Sequence, residues 1–316
     1  MGTSMSDAGQ SQRIQELELE KSKLQMTSTG AQARLEDLEA ELKQLRGEQA
    51  VNLSWQRVQL ARHPKRPHTL DYIERLIPDF TEIHGDRLYG EDAAIITGFG
   101  TLRGEPVMLV GQQKGRDTKQ KLIRNFGMPK PEGYRKAMRV MEMAAKFGRP
   151  VITFLDTPGA YPGIDAEERG QAEAIAYNLR EMSRLECPVI VVVIGEGGSG
   201  GALALGIGNK VFMLENAMYS VISPESCAAI IYRDSSKGEL AASALKITAG
   251  DLRRLGLIDG IIPEPNGGAQ EDYDRAAAYL GDALAGALAE LKPMTAGQLI
   301  EQRCTKFRQM GNFFTE

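Results

Sequence analysis

The stretch IGEGGSGGALALG at 194–206 carries six glycines in thirteen positions and follows the apolar run CPVIVVV. Because glycine has no Cβ, such a turn lets backbone N–H groups approach a ligand or a neighbouring chain segment closely. Three kinds of chemistry fit the spacing. Gly195, Gly197 and Gly200 match the dinucleotide loop GxGxxG, and the GxSxG around Ser199 matches the nucleophile elbow of a hydrolase. The third is stabilisation of a developing oxyanion by bare backbone N–H groups.

The surrounding sequence disfavours nucleotide binding. Only nine residues, 201–209, separate the loop from the next apolar run, KVFML, which is too few for the helix of a dinucleotide-binding crossover. The acidic ribose ligand is expected about 20 residues on, whereas Glu215 lies 15 residues beyond Gly200. DTPG at 156–159 resembles a GTPase switch motif, but no GxxxxGK[ST] precedes it.

The nucleophile elbow also lacks its expected partners. Hydrolases of that type place the serine, then the acid, then the histidine along the chain. All three histidines, His63, His68 and His84, precede Ser199. Convergent triads use other orders, so an esterase that uses Ser199 stays open as an alternative.

An oxyanion site needs only backbone. Where a strand turns into a helix, the first N–H groups of the helix have no intrahelical partner, and the helix dipole adds positive charge there. Each preorganised donor of this kind contributes about 3–4 kcal/mol to a transition state. The other interpretation is that the glycines serve only the close packing of strand against helix. The oxyanion interpretation is favoured, because interior glycine destabilises by about 0.5–1 kcal/mol per residue.

A local excess of positive charge stands out in a chain whose net charge is -4. Residues 114–139 hold nine basic residues and only two acids, Asp117 and Glu132. Such a patch suits a phosphate-bearing ligand or an acidic protein partner, although it could also be a solvated helix face. The acidic net charge argues against generic nucleic-acid binding.

Composition indicates a globular protein of the reducing cytoplasm. The chain has 316 residues, 42% of them hydrophobic and 25% charged, which suffices for a large core. Its three cysteines lie far apart and predict neither a disulfide framework nor a zinc site. No apolar run approaches the ~18 residues of a membrane span, and the first residues lack the apolar core of a signal peptide.

Periodicity predicts an α/β fold. Three continuous β-branched runs, at 106–111, 150–156 and 187–195, indicate buried parallel strands, and helical patterns follow at 133–148 and 167–186. Asp165 and Glu168 are expected to form a capping box for the second helix. Residues 1–12 are expected to be disordered, 14–49 to form two helices broken at 27–30, and 269–310 to be helical with a break at 292–293.

Several long motifs stand in a fixed order. They are LARHPKRPHTLDYI, GQQKGRDTKQKLIRNFGMPKPEGYRKAMR, FLDTPGAYPG, AEERGQAEAIAYNLREMSRL, VIGEGGSGGALALG, YSVISPESCAAIIYRDSSK and LGLIDGIIPEP. Over about residues 50–300 the chain closely resembles the alpha-subunit family of bacterial acetyl-coenzyme A carboxylase carboxyltransferases. The resemblance implies a crotonase-like fold of the ClpP/crotonase superfamily, with repeated ββα units. It divides the chain into a helical extension at 1–49, a carboxyltransferase domain at 50–293 and a helical tail at 294–316.

The resemblance also implies a reaction and partners. The family transfers the carboxyl group of N-carboxybiotin, held on a biotin carboxyl carrier protein, to acetyl-CoA, and the malonyl-CoA formed feeds fatty acid biosynthesis. It works as an α2β2 heterotetramer with a zinc-bearing beta subunit and alongside biotin carboxylase. No metal is expected in this chain. A carboxyltransferase for another acyl-CoA and a non-catalytic scaffold subunit stay open as alternatives.

The same resemblance assigns site residues. By motif match, the N–H groups of Gly200 and Gly201 hold the biotin oxygen. The expected substrate-binding residues are Gly197, Gly198, Gly159, Ala160, Lys114 and Arg116. One departure is Gln112, where His is expected to be frequent in the family, and its consequence is expected to be minor.

Overall fold

The computed structural model describes residues 7–25 and 32–311. The chain falls into two compact units, one of residues 1–56 with 224–245 and one of residues 57–223 with 246–316. The segments expected at 1–49, 50–293 and 294–316 remain a prediction.

The smaller unit is helical. Its helices are α1 (Asp7–Gln25), the greater part of α2 (Gln32–Ala61), α9 (Pro224–Tyr232) and α10 (Gly238–Leu245), with a 3-10 turn at Ser235–Lys237. The first two helices correspond to the two predicted from sequence over 14–49, and the break expected at 27–30 lies outside the described residues. Their apolar stripes meet in a small core of Ile14, Leu17, Leu38 and Leu42. The expected disorder at residues 1–12 is wrong for 7–12, which belong to α1, and 1–6 lie outside the described residues.

The larger unit is built on one eight-stranded sheet. Its strands are β1 (Thr81–Glu82), β2 (Ile95–Leu102), β3 (Glu105–Gln112), β4 (Val151–Thr157), β5 (Val189–Gly198), β6 (Lys210–Leu214), β7 (Met218–Ser220) and β8 (Gly260–Ile262). The order is β1-β2-β3-β4-β5-β6-β8, and β7 pairs with the end of β5. The first three strands are antiparallel, and every pairing from β3 onward is parallel.

Helices complete this unit. They are α3 (Thr69–Leu76), α4 (Thr118–Ile123), α5 (Pro131–Lys146), α6 (Ile164–Glu168), α7 (Gln171–Arg184), α8 (Ser199–Leu203), α11 (Ala249–Arg254), α12 (Tyr273–Leu291) and α13 (Ala296–Arg308), with a 3-10 turn at Asn125–Gly127. Strands β4 and β5 are buried along their whole length, as their β-branched runs predict.

The capping box expected at Asp165 and Glu168 is wrong. Both residues lie inside the short helix α6, and Gly170, with φ 83°, separates it from α7. Asp165 instead accepts hydrogen bonds from Lys130 and Arg169. Gly170, in the left-handed region, follows the end of α6. The segment predicted as one helix therefore consists of two helices, α6 and α7.

Candidate active site

The glycine-rich turn and the DTPG loop meet at one edge of the sheet. Strands β4 and β5 are parallel neighbours, and their pairing ends at Thr157 opposite Gly197 after a register shift. The loop after β4 and the turn into α8 therefore leave the sheet side by side. The carboxyl ends of parallel strands are where open α/β sheets bind ligands.

Several of the glycines are required by packing of the protein itself. A Cβ on Gly195 would lie 2.3 Å from Oδ1 of Asp156, and one on Gly198 would lie 2.2 Å from the carbonyl oxygen of Pro158. A Cβ on Gly197 would lie 2.7 Å from the Tyr219 ring. Close packing, the alternative left open from sequence, therefore explains these three positions.

The two glycines expected to donate N–H groups differ. A Cβ on Gly201 would lie 2.5 Å from the carbonyl carbon of Gly159 and 2.6 Å from the nitrogen of Ala160. Around Gly200 the nearest atom is Cδ1 of Ile175, at an ordinary 3.7 Å. The turn is thus held against the Gly159–Ala160 peptide through Gly201, whereas Gly200 is half-exposed and would meet Ile175 only at ordinary contact distance.

Backbone N–H groups gather where the two loops touch. Gly200 and Gly201 lie in the first turn of α8, whose N–H groups have no partner within a helix. The N–H of Gly159 is committed to Oγ1 of Thr157, at 3.1 Å. Within the described ranges, the N–H of Ala160 meets no acceptor. Helix α8 has only five residues, so the individual N–H groups matter more here than the helix dipole expected from sequence.

Behind the loops lies a chain of alternating charges. Nδ1 of His68 is 3.0 Å from Oδ2 of Asp156, and Nζ of Lys114 is 2.8 Å from Oδ1 of Asp156 and 2.7 Å from Oε1 of Glu196. Arg62 closes the chain by donating from Nε to Oε2 of Glu196 over 2.7 Å. The backbone N–H of Glu196 also donates to Asp156. This charge chain fixes β4 to β5 just below the turn.

The charge chain keeps Asp156, Glu196 and Lys114 ionised. Burial alone would raise the pKa of the Asp156 carboxyl, but the Lys114 ammonium and His68 hold it well below its ordinary value. Burial likewise opposes ionisation of Glu196, yet Lys114 and Arg62 lower the pKa of its carboxyl. Burial would lower the pKa of the Lys114 ammonium, and the two carboxylates raise it instead. Lys114 therefore serves as the counter-ion of two buried carboxylates.

A cavity of about 270 Å³ adjoins these groups. Its lining includes Arg62, Lys114, Arg116, Lys121, Pro158 and Glu196. Of the two predicted cationic ligands, Lys114 is enclosed in the charge chain. Arg116 pairs with Asp71 at 2.5 Å and lies over the Tyr273 ring, with its guanidinium carbon 5.7 Å from the centroid. Lys121 is exposed and has no ion-pair partner in the described part of the chain, so it supplies the uncompensated positive charge.

The structure also bears on the serine alternative. Ser199 has φ 50°, the left-handed backbone of a sharp strand-to-helix turn, and its side chain is exposed. Its hydroxyl makes no hydrogen bond to any residue in 7–25 or 32–311, histidines included. A serine nucleophile needs a base within hydrogen-bond reach, so the geometry favours a backbone role for this turn.

Comparison with known proteins identifies the family. The family model described as acetyl co-enzyme A carboxylase carboxyltransferase-like matches residues 8–311. The acetyl-coenzyme A carboxylase carboxyl transferase subunit alpha of Geobacter metallireducens is 60% identical over 277 residues, which is 87% of either chain. The chain belongs to this carboxyltransferase family. The like-named subunit of Thermus thermophilus is 55% identical over 302 residues, covering 95% of this chain and 96% of that one.

Solved structures of low identity share the fold. A transcarboxylase 12S structure matches with a TM-score of 0.58 at 21% identity, over 71% of this chain and 41% of its own. A Pseudomonas malonate decarboxylase hetero-tetramer bound to coenzyme A matches with a TM-score of 0.59 at 19% identity, over 74% of this chain and 91% of its own. These neighbours confirm the predicted crotonase-like α/β class.

The described residues hold neither a candidate membrane-spanning helix nor a candidate metal cluster. None of the helices in 7–25 and 32–311 combines the length and apolar character that crossing a membrane requires. The same ranges hold no group of three or more His, Cys, Asp or Glu side chains placed to share a metal ion.

Sequence reasoning missed the charge chain. Its members come from four separate segments, and its pairs join residues 88, 82 and 134 positions apart. A partial signal was present, because Asp156 and Glu196 are carboxylates at the ends of otherwise apolar strands. Buried carboxylates need partners, but a sequence does not say which cations supply them.

Proposed function

We propose that this chain is the alpha subunit of the carboxyltransferase of acetyl-CoA carboxylase. In this proposal the enzyme moves the carboxyl group of carboxybiotin, carried on a biotin carrier protein, to acetyl-CoA and forms malonyl-CoA for fatty acid biosynthesis. Carboxybiotin supplies the activated carboxyl group, and this chain supplies positioning and electrostatics. The cytoplasm is the proposed compartment.

The observation that carries the proposal is the contact of Gly201 with the Gly159–Ala160 peptide, in a chain of this family. That contact places two turns with N–H groups side by side at the carboxyl ends of β4 and β5. Negative charge must develop on the ureido oxygen of biotin and on the thioester oxygen of acetyl-CoA. Fixed N–H donors aimed at such charge are a strong source of rate enhancement.

The proposed roles follow from the local geometry. Gly200 and Gly201 donate N–H groups to the biotin oxygen, and the N–H of Ala160 lines the same pocket. Gly159 shapes the loop, because its own N–H is used by Thr157. Gly197 and Gly198 form the base of the site. A side chain on Gly197 would clash with Tyr219, and one on Gly198 would clash with Pro158.

The cavity beside the charge chain is the proposed entry for an anionic group, either the CoA phosphates or an acidic surface of the carrier. Lys114 would hold Asp156 and Glu196 in place beside the cavity. Arg116 would line the cavity, and Lys121 would attract the anion. Replacing Lys121 by Ala should raise KM more than it lowers kcat and should weaken the salt dependence. Lys146→Ala, an exposed lysine of α5, is the matched control. Unchanged KM for both CoA and carrier substrates would remove the cavity from the proposal.

The experiment that tests the function is the reverse reaction. Malonyl-CoA and biocytin are incubated with this chain, with its zinc-bearing beta subunit, and with both. We expect acetyl-CoA only from the mixture, which should assemble as an α2β2 heterotetramer. Turnover by this chain alone, or none from an assembled mixture, would contradict the proposal. Faster reaction with a different acyl-CoA would favour the alternative carboxyltransferase, and activity that ignores changes in the glycine turn would favour a scaffold.

A further inference from the structure

Gln112 connects three parts of the candidate site. It is the last residue of β3 and is fully buried. Its side-chain Oε1 accepts the backbone N–H of Asp156 at 3.0 Å, and its Nε2 donates to the carbonyl oxygen of Gly201 at 2.7 Å. One amide thus spans from the end of β4 to the turn that begins α8. Because one partner is a donor and the other an acceptor, the orientation of the amide is fixed by its neighbours.

The Gly201 carbonyl depends on this contact. In a longer helix it would accept the N–H of the residue four positions on, Leu205, but that N–H goes to Ala202 instead. In the described part of the chain, Gln112 supplies the only side-chain donor found for this carbonyl. A buried carbonyl without a partner is costly, so the contact determines which way the Gly201 peptide faces.

The backbone of Gln112 is itself held in place. The backbone carbonyl of Gln112 accepts a hydrogen bond from Oγ1 of Thr69 at 2.5 Å, and its strand pairs with Ile95. The turn it holds consists of Gly200 and Gly201, whose backbones have wide conformational freedom without such a restraint. A fixed side chain therefore restrains the flexible residues that are proposed to donate N–H groups.

We propose that Gln112 is a positioning residue for the oxyanion turn. It does not touch the reacting atoms; it holds the Gly201 peptide so that the preceding N–H groups point at the developing charge. This inference rests on the proposed function of the turn. Neutral His also offers one donor and one acceptor, so we expect it to be able to replace glutamine at this position.

The test compares substitutions that keep or remove this pair of groups, in the complex with the beta subunit. Gln112→Leu removes both hydrogen bonds and should lower kcat about 10- to 100-fold, as expected for a misplacement of up to 1 Å. KM for malonyl-CoA should change less than about threefold, because substrate contacts persist. Gln112→His should recover most of the lost kcat.

Gln112→Glu provides a readout that a purely structural role would not change. When ionised, the introduced carboxylate presents only acceptors to the Gly201 carbonyl, whereas the protonated acid can donate to it. Burial raises the pKa of a carboxyl. The activity of this variant relative to the unmodified complex should therefore rise as pH falls from about 8 to 6.

Gln113→Leu is the matched control. Gln113 is the next residue and is also buried, but its amide bonds Leu70 and Lys114 backbone atoms instead of the turn. Equal kcat in Gln112→Leu and Gln113→Leu, or a flat relative pH profile for Gln112→Glu, would overturn the inference. If Gln112→Leu does not assemble, the His and Glu variants decide it. Lack of activity in the unmodified complex would instead contradict the proposed function.

Discussion

A single methyl group at Gly201 should separate the two loops of the site. In Gly201→Ala the new Cβ would begin 2.5 Å from the carbonyl carbon of Gly159. Ordinary carbon–carbon contact is about 3.5 Å, so the loops must move apart by about 1 Å. The neighbouring atoms are backbone and cannot rotate away. We expect a loss of about 1–3 kcal/mol in the free energy of unfolding from overpacking. We also expect about a 10²-fold loss of kcat from the displacement.

The stability control is the same substitution one residue earlier. Gly200→Ala places its methyl 3.7 Å from Ile175, and the free energy of unfolding should stay level or rise by up to about 1 kcal/mol, because glycine is a poor helix residue. Urea unfolding measures the stability, and acetyl-CoA formation from malonyl-CoA and biocytin measures kcat. Wild-type stability and kcat in Gly201→Ala, or equal destabilisation by both substitutions, would refute the packing argument.

Three further predictions follow from the contacts of single side chains. Ser199→Ala should cost at most about 1 kcal/mol in activation free energy, because its hydroxyl has no partner in the described residues; a kcat loss on the order of 10⁶-fold would establish a nucleophile. Lys114→Met leaves Asp156 and Glu196 buried without their shared cation and should lower the free energy of unfolding by about 3–5 kcal/mol, against less than ~0.5 for exposed Lys119→Met; equal effects in urea unfolding would contradict the charge chain. Burial would raise the pKa of Asp86, but the N–H groups of Leu88 and Tyr89 and the Arg135 guanidinium lower it from 3.8 to about 2. The ionised Asp86 carboxylate therefore stabilises the folded state almost fully above pH 4, and this stabilisation is lost as the pH falls towards 2. Since one pKa unit corresponds to about 1.4 kcal/mol, wild type should lose roughly 2 kcal/mol more than Asp86→Asn between pH 5 and pH 2, and parallel stability curves would show that the pKa is not lowered.

Patterns in the local sequence predicted most of the helices and strands named in advance. The β-branched runs at 106–111, 150–156 and 187–195 are strands β3, β4 and β5, and the helices at 133–148 and 269–310 were also found, the latter broken near 292. The capping box at Asp165 was wrong because Gly170 starts a separate helix. The spacing of hydrophobic residues indicates which face of a helix is buried. It does not reveal that a single residue adopts a non-helical φ and divides the helix in two.

The sequence by itself determined the bare backbone of the turn, the parallel α/β class and, through long motifs in order, the family. Only the tertiary structure decided what the glycines do individually. Gly195 makes room for a buried carboxylate, Gly201 packs on the opposite loop, and Gly200 has room for a methyl group at ordinary distance from Ile175. It also brought Lys114 to Asp156 and Glu196, and the side-chain amide of Gln112 to the carbonyl oxygen of Gly201. The physical reason is separation along the sequence. Strand and helix patterns arise between residues that are near neighbours in the chain, whereas these contacts join residues 40 to 90 positions apart. Only folding of the chain brings such residues within hydrogen-bond distance.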